Sequence, residues 1–308
     1  MPVLRSSLIA LSRNRSLRRF CEHSTLGARL SSRFIAGMRM EDALRVAEAL
    51  NRLGLAVTLD SLGESVTSEG EAHRAAEVYH QLLDAIAARK LDANISVKLT
   101  QMGLEQSTAM AETIAGSLAR HAHATGSFVR IDMEDSSLTQ VTLDIVRRLN
   151  ARAEMRGAIG VVIQAYLYRS QADIEQLLAD GIRVRLCKGA YKEPAEVAFP
   201  RKADVDANFI RLGKKLLDSA PCHALATHDE NMIAAAKAYA RAQAIGPEHF
   251  EFQMLYGVRR DLQRELVKEG CKVRVYVPFG SEWYPYFMRR LAERPANLLF
   301  MARNFFRS

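Results

Sequence analysis

The sequence predicts an α/β fold, a distorted (β/α)8 barrel of the TIM type with an N-terminal helical extension. Three observations lead to this prediction. Eight short runs of apolar and β-branched residues recur along the chain, stretches with helical periodicity separate them, and the 308 residues suit one large barrel. Such alternation favours a closed parallel barrel over an open doubly wound sheet. We expect a helical arm over residues 1–50 and the barrel over residues 51–308.

Each predicted strand has the length and composition of a buried parallel strand. In chain order the strands are LAVTLD (55–60), NISVKL (94–99), FVRID (128–132), IGVVIQAY (159–166), RVRLCKGAY (183–191), HALATHD (223–229), FEFQML (250–255) and KVRVYVPFG (272–280). Amphipathic stretches with helical period lie between them, at residues 71–90, 107–124, 137–155, 203–219, 230–246 and 258–270. Ser, Asp or Asn lies near several predicted helix starts and glycine follows several ends, as helix boundaries prefer.

Composition excludes several classes of function. The net charge of +8 is spread along the chain without a block of Lys and Arg, which argues against nucleic-acid binding. The four cysteines form no CxxC pair, which argues against a metal site and a disulfide scaffold and indicates a reducing compartment. No apolar run reaches the roughly 20 residues that a membrane-spanning helix needs. We therefore expect a cytoplasmic protein that binds no metal.

The first twenty residues are rich in Arg and Ser and contain no acid, which is also typical of a mitochondrial transit peptide. Leu4, Leu8 and Leu11 nevertheless keep helical spacing, which favours a retained, basic, amphipathic helix. Such a helix either packs on the domain or attaches to a membrane surface. Peripheral attachment to the inner face of the membrane therefore stays open.

Polar side chains close nearly every predicted strand. In order they are Asp60, Lys98, Asp132, Gln164, Arg185 with Lys188, His228, Gln253 and Tyr276. Active sites of such barrels lie at the carboxyl ends of the strands, so these residues predict one site. The chain has no GxxxxGK[ST], GxGxxG, HExxH or GxSxG motif, which argues against a phosphate loop, a Rossmann site, zinc hydrolysis and an α/β-hydrolase nucleophile.

The stretch SEWYPYFMRRLAERPAN (281–297) follows the eighth predicted strand and reads as a helix with two adjacent arginines. Tyr286 lies three and four residues before Arg289 and Arg290, and Glu293 lies four and three residues after them, so all four share one helix face. Two guanidinium groups among apolar residues require an anion, and their planar donors match a carboxylate. The alternative is a solvated surface helix with Glu–Arg pairs.

These motifs resemble the proline dehydrogenase family in its short, monofunctional bacterial form. The most specific pieces are YPYFMRRLAE and VRLCKGAY, and VKLT, RIDMED, QAYL, LATHDEN and EFQMLYG follow the order of the family over essentially the whole chain. The resemblance implies oxidation of L-proline to 1-pyrroline-5-carboxylate by hydride transfer to FAD, the first step of proline catabolism. It also implies a quinone at the membrane as electron acceptor and a downstream pyrroline-5-carboxylate dehydrogenase as partner.

The resemblance implies a role for each matching residue. Asp132 and Arg185 would be catalytic, with Arg185 beside the flavin N5. The substrate-binding residues would be Lys98, Arg289 and Arg290 at the carboxylate, Tyr191, Leu255, Tyr276 and Tyr286 around the ring, and Glu64 as a gate. FAD would contact Met133 through its backbone, Gln164, Arg185, Lys188, Gly189, Ala190, Thr227 and His228. Other branches of the family have Trp after GAY where this chain has Lys192, which leaves the packing of the adenine open.

Three alternatives remain at this stage. A Schiff-base aldolase shares the fold and would use Lys98 or Lys188, although a lysine nucleophile gives no reason for the GAY and ATH turns. A non-catalytic amino-acid sensor would use the same carboxylate clamp. Both would be colourless, unlike a flavoprotein. Within the family, hydroxyproline competes with proline as substrate, and the sequence does not distinguish a pocket that excludes the extra hydroxyl.

Overall fold

Eight strands form a closed parallel barrel in the computed structural model, in the order β1 to β8 with β8 hydrogen-bonded to β1. The structure describes residues 33–63, 65–220, 222–284 and 286–288. The strands are β1 (Ala56–Ser61), β2 (Ala93–Val97), β3 (Val129–Ile131), β4 (Ile159–Gln164), β5 (Arg183–Cys187), β6 (His223–Ala226), β7 (Phe250–Leu255) and β8 (Val273–Phe279). The predicted (β/α)8 barrel is confirmed.

On the outside of the barrel, helix α1 precedes β1, and each of the other helices connects two consecutive strands. They are α1 (Met40–Asn51), α2 (Glu69–Ala88), α3 (Thr108–Ala124), α4 (Thr139–Ala151), α5 (Ser170–Ala179), α6 (Lys202–Leu217), α7 (Glu230–Ala242) and α8 (Arg260–Lys268). Side-chain caps begin several of them, as at Ser68, whose hydroxyl accepts the Glu71 amide at 3.3 Å. Helix α1 packs against β1 and β8, whereas residues 1–32 of the predicted arm lie outside the described residues.

Several predicted strands are too long at their carboxyl ends, and two of them by three residues or more. RVRLCKGAY ends as a strand at Cys187 and HALATHD at Ala226, so KGAY and THD belong to loops. Gly189 has φ +115°, a conformation that no extended strand contains, and this bend turns the chain away from the sheet. Apolar composition marks a buried strand but does not mark where the backbone leaves the ladder.

Along most strands, apolar and polar residues alternate, and successive residues face opposite sides of the sheet. On β1, Val57 belongs to the apolar core, whereas Thr58 and Asp60 are buried polar residues. The polar set faces the barrel interior, because strands that are not neighbours contact one another through it: Arg185 Nη1 on β5 donates to Ser96 Oγ on β2 at 3.3 Å. The apolar set packs under the helices. The interior is therefore polar where TIM barrels usually carry branched apolar residues.

A charged layer fills the interior at the amino ends of the strands. Arg274 on β8 pairs with Glu251 on β7 at 3.0 Å, and Arg130 on β3 donates to the Arg183 carbonyl at 2.6 Å. Gly160 on β4 leaves the space for this guanidinium, because an added Cβ would lie 2.8 Å from Arg130 Nη1. Charged side chains and their ion pairs thus fill the interior at this end of the barrel.

A second apolar cluster lies beyond the end of β8. It joins Phe34 and Ile35, which precede α1, to Leu62 after β1 and to the buried residues Trp283, Tyr284, Tyr286, Phe287 and Met288. The Ala36 amide donates to the Pro278 carbonyl at 2.9 Å, which holds the segment before α1 against β8. The start of the predicted last helix is therefore packed at the carboxyl end of the barrel.

Candidate active site

Asp132 lies directly after β3 and is the centre of a polar cluster at the carboxyl ends of the strands. Its Oδ1 accepts hydrogen bonds from Arg185 Nη1 at 2.8 Å and from Ser96 Oγ at 2.7 Å. Its Oδ2 lies 2.8 Å from the hydroxyl of Tyr276 on β8 and 3.6 Å from Lys98 Nζ. Four residues that the sequence singled out, from four different strands, therefore meet at one point.

Asp60 on β1 is the second carboxyl group of this cluster. Its side chain is only 1% exposed, and its Oδ2 lies 2.7 Å from the Tyr276 hydroxyl and 3.6 Å from Lys98 Nζ. Its Oδ1 lies 3.2 Å from the hydroxyl of Tyr79 on α2. Asp60 and Asp132 thus share Tyr276 and Lys98 as neighbours.

The two carboxyl groups differ in their tendency to ionise. Burial raises the pKa of Asp60, and the attraction of Lys98 does not offset it. Burial also opposes ionisation of Asp132, but Lys98, Arg185 and the hydroxyl donors outweigh it and hold the pKa of Asp132 below its ordinary value. Burial and the two carboxyl groups raise the pKa of Tyr276 well above its ordinary value, so its hydroxyl stays protonated at neutral pH.

Arg185 is held at one edge of its guanidinium group. Nη1 contacts Asp132 and Ser96, and Cζ lies 5.3 Å from the centroid of the Tyr276 ring. Within the described part of the chain, Nε and Nη2 are buried and have no hydrogen-bond partner. Because a buried charged donor without an acceptor is costly, these two donors indicate that a ligand supplies the acceptor.

The residues predicted to contact FAD lie at or just after the ends of β3 to β6. They are Met133, Gln164, Arg185, Lys188, Gly189, Ala190, Thr227 and His228. Gln164 Nε2 donates to the Glu134 carbonyl at 2.8 Å, which fixes the amide at the end of β4. His228 Nε2 accepts the Leu255 amide at 2.9 Å, so the proton of the neutral ring lies on Nδ1. The histidine thereby joins the ends of β6 and β7.

Lys188 and Gly189 form a constrained turn directly after β5. Lys188 Nζ pairs with Asp206 at 2.7 Å and with Asp229 at 2.9 Å, which ties the turn to α6 and α7. An added Cβ at Gly189 would lie 2.3 Å from the Tyr166 ring, so no other residue fits at its φ of +115°. Glycine is therefore required here by the close packing of the turn against Tyr166.

The predicted substrate residues are only partly within the described chain. Lys98 and Tyr276 lie in the cluster, Leu255 ends β7 half-buried, and Tyr191 is 38% exposed in the loop after β5. Tyr286 is buried in the second apolar cluster. Glu64, Arg289, Arg290 and Glu293 lie outside the described residues, so the carboxylate clamp and the gate stay predictions.

Comparison with known proteins identifies the family. The family described as "Proline dehydrogenase" matches residues 43–303, which is most of the chain. The chain belongs to the proline dehydrogenase family. The resemblance inferred from the motifs is thus confirmed, and oxidoreductase activity in proline catabolism follows from the family.

Full-length relatives agree with this assignment. The chain is 44% identical over 302 residues to proline dehydrogenase 1 of Bacillus subtilis (strain 168), with 98% of both chains covered. It is 42% identical over 279 residues to the proline dehydrogenase of Deinococcus radiodurans, with 89% of both chains covered. The bifunctional protein PutA of Escherichia coli (strain K12) is 27% identical, and the match covers 24% of its length. The monofunctional type therefore fits the chain.

Solved structures show the same barrel. The chain superimposes on proline utilization A from Bdellovibrio bacteriovorus, inactivated by N-propargylglycine, with a TM-score of 0.82 and 28% identity. The match covers 94% of this chain and 36% of that protein. Among the residues that the structure describes, no helix combines the length and the apolar character that a membrane crossing requires.

Several contacts of the candidate site were not predicted from the sequence. The sequence places Ser96 within an apolar strand and Asp60 at a strand end, and it predicts no specific role for either residue. Tyr79 lies on an outer helix, but its hydroxyl lies 3.2 Å from Asp60 Oδ1 and 3.1 Å from the Ser61 carbonyl oxygen. A signal existed for Ser96, because it lies two residues before Lys98 and so faces the same side of the sheet. No sequence signal points to Tyr79.

Proposed function

We propose that this protein oxidises L-proline to 1-pyrroline-5-carboxylate by hydride transfer to bound FAD and passes the electrons to a quinone. The observation that carries the proposal is Arg185, which Asp132 fixes through Nη1 while its buried Nε and Nη2 have no acceptor among the described residues. Family membership supports proline as the substrate. A flavin would supply the missing acceptor.

The residues around Arg185 fit a flavin. Two orphaned guanidinium donors match the ring nitrogen of a flavin, where charge increases on reduction. The turn at Lys188 and Gly189 directly follows the strand of Arg185, and Gln164 and Thr227 end or follow the two neighbouring strands, β4 and β6. Hydrogen bonds and salt bridges with neighbouring loops hold these groups before any ligand binds.

The proposed reaction breaks the C–H bond at the ring carbon next to nitrogen and forms a C=N bond. The amine must be neutral, because its lone pair forms the new bond as the hydride leaves. When bound, FAD accepts this hydride with its electron pair. The substrate is left with a protonated C=N bond, which then releases its N–H proton to solvent.

The side chains of this site orient the substrate rather than attack it. Lys98, 13% exposed at the centre of the cluster, would attract the substrate carboxylate, and Tyr276 would border the ring. Asp132 holds Arg185 in place at 2.8 Å. Fixing the reacting carbon against its acceptor supplies the main rate advantage for a reaction that needs no nucleophile.

We expect the purified protein to carry FAD in about equimolar amount, and anaerobic L-proline to bleach its visible absorbance. Hydroxyproline in the same assay measures whether the pocket prefers proline to its hydroxylated analogue. Lactate, which lacks the ring nitrogen, is the control. A folded, colourless protein that does not take up added FAD would contradict the proposal and would favour an amino-acid sensor or an aldolase.

Arg289 and Arg290, with Lys98, would bind the proline carboxylate. Truncating either arginine to alanine is expected to raise the KM for proline by roughly tenfold or more, because a charge-assisted hydrogen bond contributes about 1.5–3 kcal/mol. Lysine should restore only part of the loss, since it keeps the charge without the planar donor pair. An unchanged KM in all four variants, with normal FAD content, would make these arginines surface charges.

A further inference from the structure

A single hydroxyl hydrogen lies between the two carboxyl groups of the site. The Tyr276 hydroxyl is 2.7 Å from Asp60 Oδ2 and 2.8 Å from Asp132 Oδ2, and both are hydrogen-bond distances. A phenol has one hydrogen to donate. If both carboxyl groups were ionised, one of the two oxygens would receive no hydrogen from the phenol and would have Lys98 Nζ, 3.6 Å away, as its cationic neighbour. A proton on one of the two carboxyl groups supplies the missing hydrogen bond to Tyr276.

On the other side of Asp60, the hydroxyl of Tyr79 also has more hydrogen-bond acceptors around it than hydrogens to donate. Its hydroxyl is 3.2 Å from Asp60 Oδ1, 3.1 Å from the Ser61 carbonyl and 3.1 Å from Gln101 Oε1. Gln101 Nε2 donates to the Ser61 carbonyl at 3.0 Å, which leaves Gln101 Oε1 as an acceptor. Three acceptors thus surround one hydrogen. Asp60 Oδ1 therefore competes with two other acceptors for the hydrogen of Tyr79, which makes ionisation of Asp60 less favourable.

The neighbours of the two carboxyl groups decide which of them keeps the proton. Asp132 faces the Arg185 guanidinium at 2.8 Å and the Ser96 hydroxyl at 2.7 Å, whereas the cationic neighbour of Asp60 is Lys98 at 3.6 Å. The Asp60 side chain is 1% exposed and the Asp132 side chain 14% exposed, so ionisation is less favourable at Asp60. The raised pKa of Asp60 and the lowered pKa of Asp132 agree with this assignment.

We propose that Asp60 keeps its proton in the working protein and acts as a hydrogen-bond donor to Tyr276. The hydroxyl of Tyr276 is then committed as the donor to Asp132, which stays ionised against Arg185. Asp60 is thus a positioning residue, which acts on the substrate through Tyr276 and Lys98. The titratable groups that face it are Lys98 from the end of β2, Asp132 from the end of β3, Tyr79 from α2 and Tyr276 from β8.

The proton on Asp60 also changes the charge of the cluster formed by the described residues Asp60, Lys98, Asp132 and Arg185. With Asp60 neutral, these four side chains carry one positive charge in excess, and with Asp60 ionised their charges sum to zero. An excess positive charge attracts a substrate that carries a carboxylate. This consequence rests on the proposed function, which supplies the amino-acid substrate, whereas the protonation of Asp60 itself does not depend on it.

Infrared difference spectroscopy on the full-length protein detects the proton directly and needs no substrate. At neutral pH, wild type minus Asp60→Asn is expected to show the C=O band of a protonated carboxylic acid, and wild type minus Asp132→Asn the bands of a carboxylate. If Asp60→Asn does not fold, Asp60→Leu serves for the subtraction, and ¹³C-labelled aspartate in the wild type assigns the band. Carboxylate bands at Asp60 would overturn the proposal.

The pH dependence of unfolding is an independent measurement. The pKa of folded Asp60 lies above the ordinary value of 3.8, so the folded state binds this proton more tightly than the unfolded state. The stability of the wild type relative to Asp60→Asn is therefore expected to fall as pH rises from 3.8 to the folded value, and to level off above it. A relative stability that rises over this range would contradict the proposal.

Kinetics connect Asp60 to the substrate. Asp60→Ala removes the donor and is expected to raise the KM for proline by roughly tenfold, and Asp60→Asn, whose amide also donates, is expected to recover most of this loss. The ratio of the wild-type KM to the Asp60→Asn KM should rise with pH as Asp60 ionises. Equal KM values for the Ala and Asn variants, without this pH dependence, would overturn the positioning role. A protein that does not oxidise proline would contradict the proposed function and leave the spectroscopic result on Asp60 intact.

Discussion

Replacing Arg185 by alanine is expected to slow flavin reduction by proline by about 10²–10³-fold, the usual loss for one preorganised electrostatic contact. Binding of proline should weaken much less, because the carboxylate would be held by other cations. The physical reason is the fixed position of the guanidinium: Asp132 and Ser96 hold Nη1, so Nε and Nη2 face the acceptor without reorganisation. Arg185→Lys keeps the charge but loses these directed donors.

Anaerobic stopped-flow reduction at several proline concentrations separates the rate of reduction from substrate affinity. Arg183→Ala is a matched control, because it removes an arginine side chain from the same strand but from its amino end. There the Arg183 guanidinium carbon lies 5.1 Å from the centroid of the Phe128 ring. Near-wild-type reduction in Arg185→Ala, with full FAD content, would make Arg185 a structural residue and would place the flavin elsewhere.

The barrel was predictable because its strands are short apolar runs between amphipathic stretches. The order of apolar and polar residues within each strand was less informative about which side chains face the barrel interior, because both faces of a parallel strand are buried. Thr58 on β1 and Asn94 and Ser96 on β2 are small polar residues within runs that the sequence presents as apolar, so they do not by themselves indicate a polar interior. Only the closed geometry of the barrel shows that these residues face one another.

The site was predictable in its members but not in its contacts. Lys98, Asp132, Arg185 and Tyr276 were singled out because each lies at the end of a predicted strand. Which of them pair depends on the stagger of the strands around the barrel, which no single strand encodes. The shared hydroxyl of Tyr276 between two carboxyl groups is such a consequence, since its neighbours come from β1 and β3. The opposite ionisation of Asp60 and Asp132 follows from these contacts.

Asp132→Asn is expected to have the largest effect on stability in this site. The amide does not compensate the charges of Arg185 at 2.8 Å and Lys98 at 3.6 Å, and removing one partner of a buried ion pair costs about 3–5 kcal/mol. The rate of flavin reduction should fall as well, by about 10²-fold or more, because Arg185 loses the partner that fixes it. Urea unfolding measures the first effect and stopped-flow reduction the second.

The pH dependence distinguishes the charge of Asp132 from its packing. Its folded pKa lies below the ordinary value of 3.8, so its stabilisation is fully present above that pH and is lost as pH falls through the folded value. The difference in free energy of unfolding between wild type and Asp132→Asn should therefore be constant near neutral pH and shrink in acid. Asp60→Asn is the matched control. The stability of the wild type relative to this variant is expected to fall with rising pH, which is the opposite trend. A difference for Asp132→Asn that persists unchanged at low pH would assign the loss to packing, and the ion pair would then not be what holds Arg185.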